Sequence, residues 1–391
     1  MILTTLTQLV RRSRSCRVCC SARRGFSSTV PTAPYDILFC GTDSFASTSL
    51  SALLSHRSTL CSSLHVLTPP DVAQKWGASR MKVSPVKQVA LSQGLAHQDV
   101  PSGGMVDYTP PSHLHDNPQA ILLTCSFGHL IPDELLDAFP NPWQRINIHP
   151  SLLPQLRGAA PIQWALARRL TRSGVTIQTL EKGKFDTGRI VSQESFAFPP
   201  TPVEQGGFLE VEPEMATRAA DLLIRTLHDL PNHWANSWVQ PEDERTYAPK
   251  LKLQNSVIRW DAWSAADVVA RERGFAYLYP LSTTLHPPDS PTHPNLNFHP
   301  VAVHLSNTSA IPMEELRSAD RNLAAVLLAP STPVGSAIYC APLDAVLVKT
   351  HAEVLAVRSL KVANKRPKDA HDWWRGYRDR VDPRTGLLCF R

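Results

Sequence analysis

Short apolar runs recur along the first half of this 391-residue chain, and stretches with helical spacing separate them. "DILFC" (36–40), "LHVLT" (64–68), "AILLTC" (120–125), "RINIH" (145–149), "VTIQTL" (175–180) and "IVSQESFAF" (190–198) read as strands. Between them, "SFASTSLSALLSH" reads as a helix capped by Ser44. "SPVKQVALSQG" has Ser84 as N-cap, Pro85 at the first helical position and Gly94 as its stop. "PDELLDAF" and "GAAPIQWALARRL" are further helices, and "MATRAADLLIRTLHDL" (215–230) carries leucines at helical spacing. Buried strands alternating with helices predict a doubly wound α/β domain over residues 33–232. Its sheet is mostly parallel and covered on both faces.

After Asn232 the texture changes. "QPEDERTYAPKL" is polar, and "AADVVARERGFAYL" reads as a helix. Prolines crowd residues 280–300, so 276–325 reads as a surface insertion. Short β-like runs then return ("VGSAIYCA", "AVLVKT", "VLAVRSL") and end in a helical tail, "DAHDWWRGYRD". Closely spaced short strands predict a small β-barrel within 233–391.

Charge changes the picture at the N-terminus. Residues 1–30 hold six arginines and no acid, the first acidic residue being Asp36, so this segment carries the whole +6 net charge. An Arg-rich, Ser-rich, acid-free segment with one apolar helix face has the profile of a mitochondrial presequence. "RGFS" (24–27), with arginine two residues before Phe26, looks like a matrix-peptidase site. Matrix localisation follows as an expectation. Three of the eight cysteines lie in that segment and the rest have no paired spacing, so neither disulfide framework nor metal site is expected. No run of 18 apolar residues exists, and no membrane association is expected.

The candidate chemistry sits where the strand "RINIH" meets its loop, "NIHPSLLP". Alternation sends Asn147 and His149 to the same side of the strand. Ligands of open parallel sheets bind beyond the carboxyl ends of the strands. Pro150 and Pro154 stiffen the loop, which is expected to be extended and to offer backbone groups to a flat polar heterocycle. In "EKGKFDTGRI", Asp186 occupies a turn after the next strand, with Gly183 and Gly188 freeing the backbone around it. Asparagine can give an N–H to a developing oxyanion, histidine can exchange a proton near neutral pH, and aspartate can orient the imidazole. Such a set suits transfer of an already activated acyl group to an amine.

"NIHPSLLPQLRGAAPIQWAL" and "EKGKFDTGRI" closely resemble the folate-dependent formyltransferases, as do "LFCGTDSFASTSLSALL", "MKVSPVKQVALSQGL", "SFGHLIPDELL" and "QPEDERTYAPKL". The likeness spans about residues 35–275 and resumes over 330–380. It implies a Rossmann-like formyltransferase domain followed by an OB-like barrel. It also implies 10-formyltetrahydrofolate as co-substrate and initiator methionyl-tRNA as acceptor; a monomer is the separate expectation. The family's catalytic residues fall on Asn147, His149 and Asp186, and its folate-contacting stretch on Ser151, Leu152, Leu153 and Pro154. A basic loop reaching the tRNA acceptor stem would carry Lys75, Arg80, Lys82 and Lys87, with Trp76 placed to stack on a base. The barrel would add Lys361, Lys365 and Arg366, part of a basic stretch over 356–380. A formyltransferase of the same fold acting on a small amine, an amino sugar nucleotide or glycinamide ribonucleotide, is the alternative reading.

Overall fold

The computed structural model describes residues 29–73, 81–200, 205–287 and 299–391. The basic N-terminal segment, Lys75, Trp76 and Arg80 lie outside the described residues.

The first domain is built on β1 (Tyr35–Gly41), β2 (Cys61–Thr68), a small hairpin of β3 (Val72–Ala73) and β4 (Met81–Lys82), then β5 (Ala96–Asp99), β6 (Ala120–Cys125), β7 (Arg145–His149), β8 (Arg172–Thr179) and β9 (Ile190–Ala197). The main sheet has the order β5-β2-β1-β6-β7-β8-β9. β5 through β7 are parallel, whereas β8 runs antiparallel to β7 and β9 antiparallel to β8. The mostly parallel expectation holds, with "VTIQTL" and "IVSQESFAF" forming an antiparallel edge.

Alternation explains both faces. Ile37, Phe39, Ile121, Leu123, Ile146 and Ile148 enter one core cluster, which the helices Ser44–Ser55, Pro85–Ser92 and Phe208–His228 cover. Leu38, Cys40, Ala120 and Leu122 turn to the opposite face, where they pack with Leu135 and Phe139. The first helix is capped by Asp43, whose carboxylate accepts from Ala46 N at 3.0 Å, rather than by Ser44. The Ser44 hydroxyl donates instead to Glu212 Oε1 at 2.9 Å. Ser84 caps its helix as expected, accepting from Lys87 N.

The chain does not leave this domain at residue 232. Trp238 bridges Ile190, and Tyr247 bridges Arg157. Thr246 and Ala248 hydrogen-bond the 156–160 backbone. The polar segment "QPEDERTYAPKL" therefore belongs structurally to the first domain.

The second domain closes six antiparallel strands into a barrel: β10 (Leu281–His286), β11 (Val301–Ile311), β12 (Ser336–Cys340), β13 (Ala345–Lys349), β14 (Val354–Val362) and β16 (Leu388–Phe390), with β15 (Lys368–Asp369) pairing β14. The β11–β14 pairing closes the ring. Residues 276–325 are thus not simply an insertion. Leu281, Leu285, Val303 and Leu305 alternate into the barrel core. The expected tail is a short helix, Ala370–Arg375, and it buries Trp373 against the barrel, stacked on Tyr377.

Candidate active site

Strand register assembles the polar face. Thr124 of β6 pairs with Asn147 of β7, which pairs with Gln178 of β8. One row on, His149 pairs with Thr176. Arg145, Asn147 and His149 share one side of β7. The Thr124 hydroxyl donates to Asn147 Oδ1 at 2.7 Å. That hydrogen bond fixes which end of the amide is the acceptor and leaves the Nδ2 hydrogens to the cavity.

His149 is buried. Its Nε2 lies 3.0 Å from the Leu156 carbonyl, which can only accept, so Nε2 carries a proton. Its Nδ1 faces Asp186 Oδ1 at 3.5 Å. The Leu156 carbonyl, not Asp186, makes the hydrogen bond that sets the ring. The carboxylate stands at ion-pair range, ready for an imidazolium, while Nδ1 stays open to a reacting group.

Asp186 is over-determined. Its backbone takes the left-handed region, φ 54°, which aspartate tolerates better than most residues. Its Oδ2 accepts from Gly158 N at 2.9 Å and its Oδ1 from Gln178 Nε2 at 2.8 Å. Gln178 Oε1 accepts from Gln240 Nε2, and Gln240 Oε1 accepts from the buried Arg157 guanidinium, which also pairs with Glu242. A charge-anchored chain of amides thus reaches the carboxylate from a segment distant in sequence. Gly158 has φ 122°, and a Cβ there would lie 2.7 Å from the Ala248 carbonyl, so only glycine lets the 156–160 backbone pass Ala248 this closely.

These groups open into a cavity of about 520 Å³. It extends to the switch point between β1 and β6, where Asp43 and Ser126 stand at the strand ends. Phe127, Leu130, Ile131 and Leu136 make one wall apolar. Phe45, Phe208 and Glu212 lie at another part of the lining. Burial raises the Glu212 carboxyl above its ordinary range, partly offset by the Ser44 hydroxyl.

Asn147, His149 and Asp186 are therefore brought together. Ser151, Leu152, Leu153 and Pro154 are not among the cavity's lining residues. Ser151 is fully buried; its hydroxyl donates to Gln155 O and its carbonyl accepts from Thr176 Oγ1. Leu153 N donates to Thr176 Oγ1, and its carbonyl accepts from Gln193 Nε2. The polar groups of Ser151 and Leu153 are thus paired within the loop and with β8 and β9, and Pro150 is the loop's contribution to the lining. Lys82 is exposed in the small hairpin. Lys87 is buried between Asp71 and Asp99, at 3.0 and 2.8 Å, and so is unavailable to phosphates. Lys361, Lys365 and Arg366 are exposed on the second domain. Sequence reasoning missed Thr124, Gln178, Gln240 and Arg157. The signal for Thr124 was a single hydroxyl in an otherwise apolar strand, and for Gln178 an amide in a buried strand.

An oriented amide N–H, an open imidazole nitrogen and a carboxylate at the mouth of a doubly wound sheet equip a transferase of an activated acyl group. The formyl transferase family model matches residues 37–204. The methionyl-tRNA formyltransferase of Syntrophus aciditrophicus is 36% identical over 244 residues, covering 62% of this chain and 74% of that protein. The mitochondrial methionyl-tRNA formyltransferase of Homo sapiens is 29% identical over 352 residues, 88% of this chain and 78% of its own length. A crystal structure of the N-formyltransferase from Helicobacter canadensis, complexed with folinic acid and dTDP-3-aminofucose, superposes with a TM-score of 0.51 at 14% identity. That match covers 83% of this chain and 99% of the other, and is a likeness of fold. The chain belongs to the formyl transferase family, in its methionyl-tRNA formyltransferase branch.

Proposed function

We propose that this chain transfers the formyl group of 10-formyltetrahydrofolate to the α-amino group of initiator methionyl-tRNA in the mitochondrial matrix, acting as a monomer. The branch of relatives supports the acceptor, and the mitochondrial forms that span most of the chain support the compartment. Among the described residues no helix is long and apolar enough to cross a membrane. The observation that carries the chemistry is the convergence of Asn147, His149 and Asp186 on one cavity.

The cavity volume suits one small co-substrate, and its apolar wall suits a flat ring beside the polar row. The amine lone pair attacks the formyl carbon, and the carbonyl pair moves to oxygen. Asn147 Nδ2 donates to that oxyanion, its orientation held by Thr124. The proton leaving the amine passes to His149 Nδ1, and Asp186 stabilises the imidazolium. When the tetrahedral adduct collapses, the C–N10 bond breaks and Nδ1 returns the proton to N10. An α-amino group has a pKa of roughly 7.7–8.0, so a large share is already a neutral nucleophile near pH 8.

A transfer assay with labelled formyl donor tests this, with methionyl-tRNA, an amino sugar nucleotide and glycinamide ribonucleotide as acceptors. Label is expected on methionyl-tRNA. Faster transfer to either small amine would overturn the assignment of acceptor.

A further inference from the structure

The helix Ala265–Phe275 is rooted in both domains. Ala265 and Val268 enter the barrel core, whereas Phe275 packs with Ala160, Ala167 and Leu251 of the first domain. Glu272 clamps the helix to the barrel. Its carboxylate accepts from Asn307 N at 2.7 Å, from Thr308 N at 2.9 Å and from the Thr308 hydroxyl, all on β11. Backbone N–H groups held by a carboxylate make strong, charge-assisted bonds. The C-terminal end is docked as firmly on the first domain. A Cβ on Gly274 would lie 2.6 Å from the Gln163 carbonyl, so the helix backbone passes directly against the helix Pro161–Ala167. The Arg273 guanidinium donates to the Gly206 carbonyl at 2.7 and 2.9 Å, just ahead of the helix Phe208–His228. Tyr277 then reaches the wall of the catalytic cavity from behind. Its ring stacks on Phe208, with centroids 4.2 Å and planes 17° apart, and its hydroxyl accepts from Gln163 Nε2 at 2.9 Å. Gln163 and Phe208 line the cavity, and Tyr277 is not among its lining residues.

We propose that Tyr277 is a positioning residue for the transfer reaction: carried on a helix that Glu272 clamps to the barrel, it sets the Gln163–Phe208 wall against which the aminoacyl end of the acceptor is seated. The barrel then shapes the cavity as well as holding RNA. This rests on the reading of an aminoacyl-tRNA acceptor. The Phe127, Leu130, Ile131 and Leu136 wall suits the ring of the formyl donor, which leaves the Gln163–Phe208 wall to the acceptor. A stacked ring and a hydrogen bond fix both the position and the rotamer of the groups they hold. Fixing them matters because a misplacement of about 1 Å is enough to cost about a hundredfold in rate.

The test uses the full chain and two acceptors, methionyl-tRNA and the methionyl ester of adenosine, which is too small to reach the barrel. Rates are taken per folded protein, measured by circular dichroism. Tyr277→Phe keeps the stacked ring and should lower kcat/KM for either acceptor about threefold. Tyr277→Ala should lower it about tenfold. KM for the formyl donor should not change in either variant. Glu272→Ala, which touches β11 and not the cavity, should cost about fivefold with the small ester as well as with methionyl-tRNA. On a Tyr277→Ala background it should cost less than about twofold further, because both act through one wall. Should Glu272→Ala not fold, Glu272→Gln, which keeps one oxygen for the two N–H groups, carries the same cycle. Full activity of Tyr277→Ala would overturn the inference. So would a Glu272 loss confined to methionyl-tRNA, which makes the barrel an RNA anchor alone, or fully additive losses in the cycle. A wild-type protein that formylates only a small amine would overturn the functional reading, and the same cycle read with that amine would still decide the role of Tyr277.

Discussion

Thr124→Val isolates the orientation of the Asn147 amide from its presence. The Thr124 side chain is almost fully buried beside Asn147, and its hydroxyl donates to Oδ1 at 2.7 Å. Valine keeps the volume and removes the donor. The Asn147 carbonyl then loses its partner, and the amide can rotate to present oxygen rather than N–H to the cavity. A buried acceptor left unpaired costs about 1–3 kcal/mol, which is the preference that holds the productive orientation. Removing it lowers the productive population by about fivefold to a hundredfold. The ceiling is loss of the oxyanion donor itself, about 10²–10³ in kcat, which is the loss expected of Asn147→Ala. A fall of about tenfold in kcat is therefore expected for Thr124→Val, with little change in KM for either substrate. Melting should fall by about 2–4 °C for each kcal/mol of that cost that amide rotation does not recover. The decisive assay is the double-mutant cycle. On an Asn147→Ala background, Thr124→Val should cost nothing further in kcat. Equal losses on both backgrounds would refute the orienting role.

His149→Ala or Asp186→Asn should each lower kcat by about 10²–10⁴-fold in protein that circular dichroism shows to be folded, since each removes a group that handles the proton; retention of activity within a few-fold would remove them from the mechanism. Gly158→Ala forces a side chain into the left-handed region against the Ala248 carbonyl and moves the N–H that anchors Asp186. Melting should fall by more than about 4 °C, with activity lost in the protein that remains folded. Glu212→Gln tests burial. The folded carboxyl pKa lies above the unfolded one, so the folded state holds its proton more tightly, and stability is lost as pH rises from the ordinary carboxyl value through the raised one. The glutamine variant should therefore melt higher than wild type at neutral pH, and the gap should close toward about pH 4. Alanine at Lys361, Lys365 and Arg366 together should lower the salt slope of tRNA binding by about 0.9 for each phosphate no longer neutralised, measured by filter retention. An unchanged slope would take the barrel's basic stretch out of the interface.

What was legible in the sequence follows from which interactions are local. The strands of the first sheet are short, apolar and bounded by turns, so period and length mark them without tertiary information. The pairing of Asn147 with His149 on one side is a consequence of the two-residue repeat alone. The barrel strands β10 and β11 were hidden because Leu281, Thr283 and Leu285 alternate between prolines, and proline density outweighed a short alternating signal. The burial of the Ser151–Pro154 loop was hidden for the opposite reason. Prolines and a hydroxyl suggest an exposed loop, yet Thr176 and Gln193 of the antiparallel edge satisfy its backbone from strands it does not adjoin in sequence.

The support for Asp186 lay furthest from view. Gln178 is read locally as one polar residue in a buried strand, and Gln240 as part of a polar linker; only the fold brings the first within reach of the carboxylate and the second within reach of the first. Register does the positioning. Thr124, Asn147 and Gln178 occupy one row across β6, β7 and β8, so the oxyanion donor and the carboxylate's anchor are neighbours by pairing. A slip of one residue in β7 would turn Asn147 and His149 into the opposite core and bring Ile146 and Ile148 to the cavity. The apolar demand of that core, met by Ile146 and Ile148, therefore holds the catalytic face in place. Stability and chemistry in this strand are two readings of the same alternation.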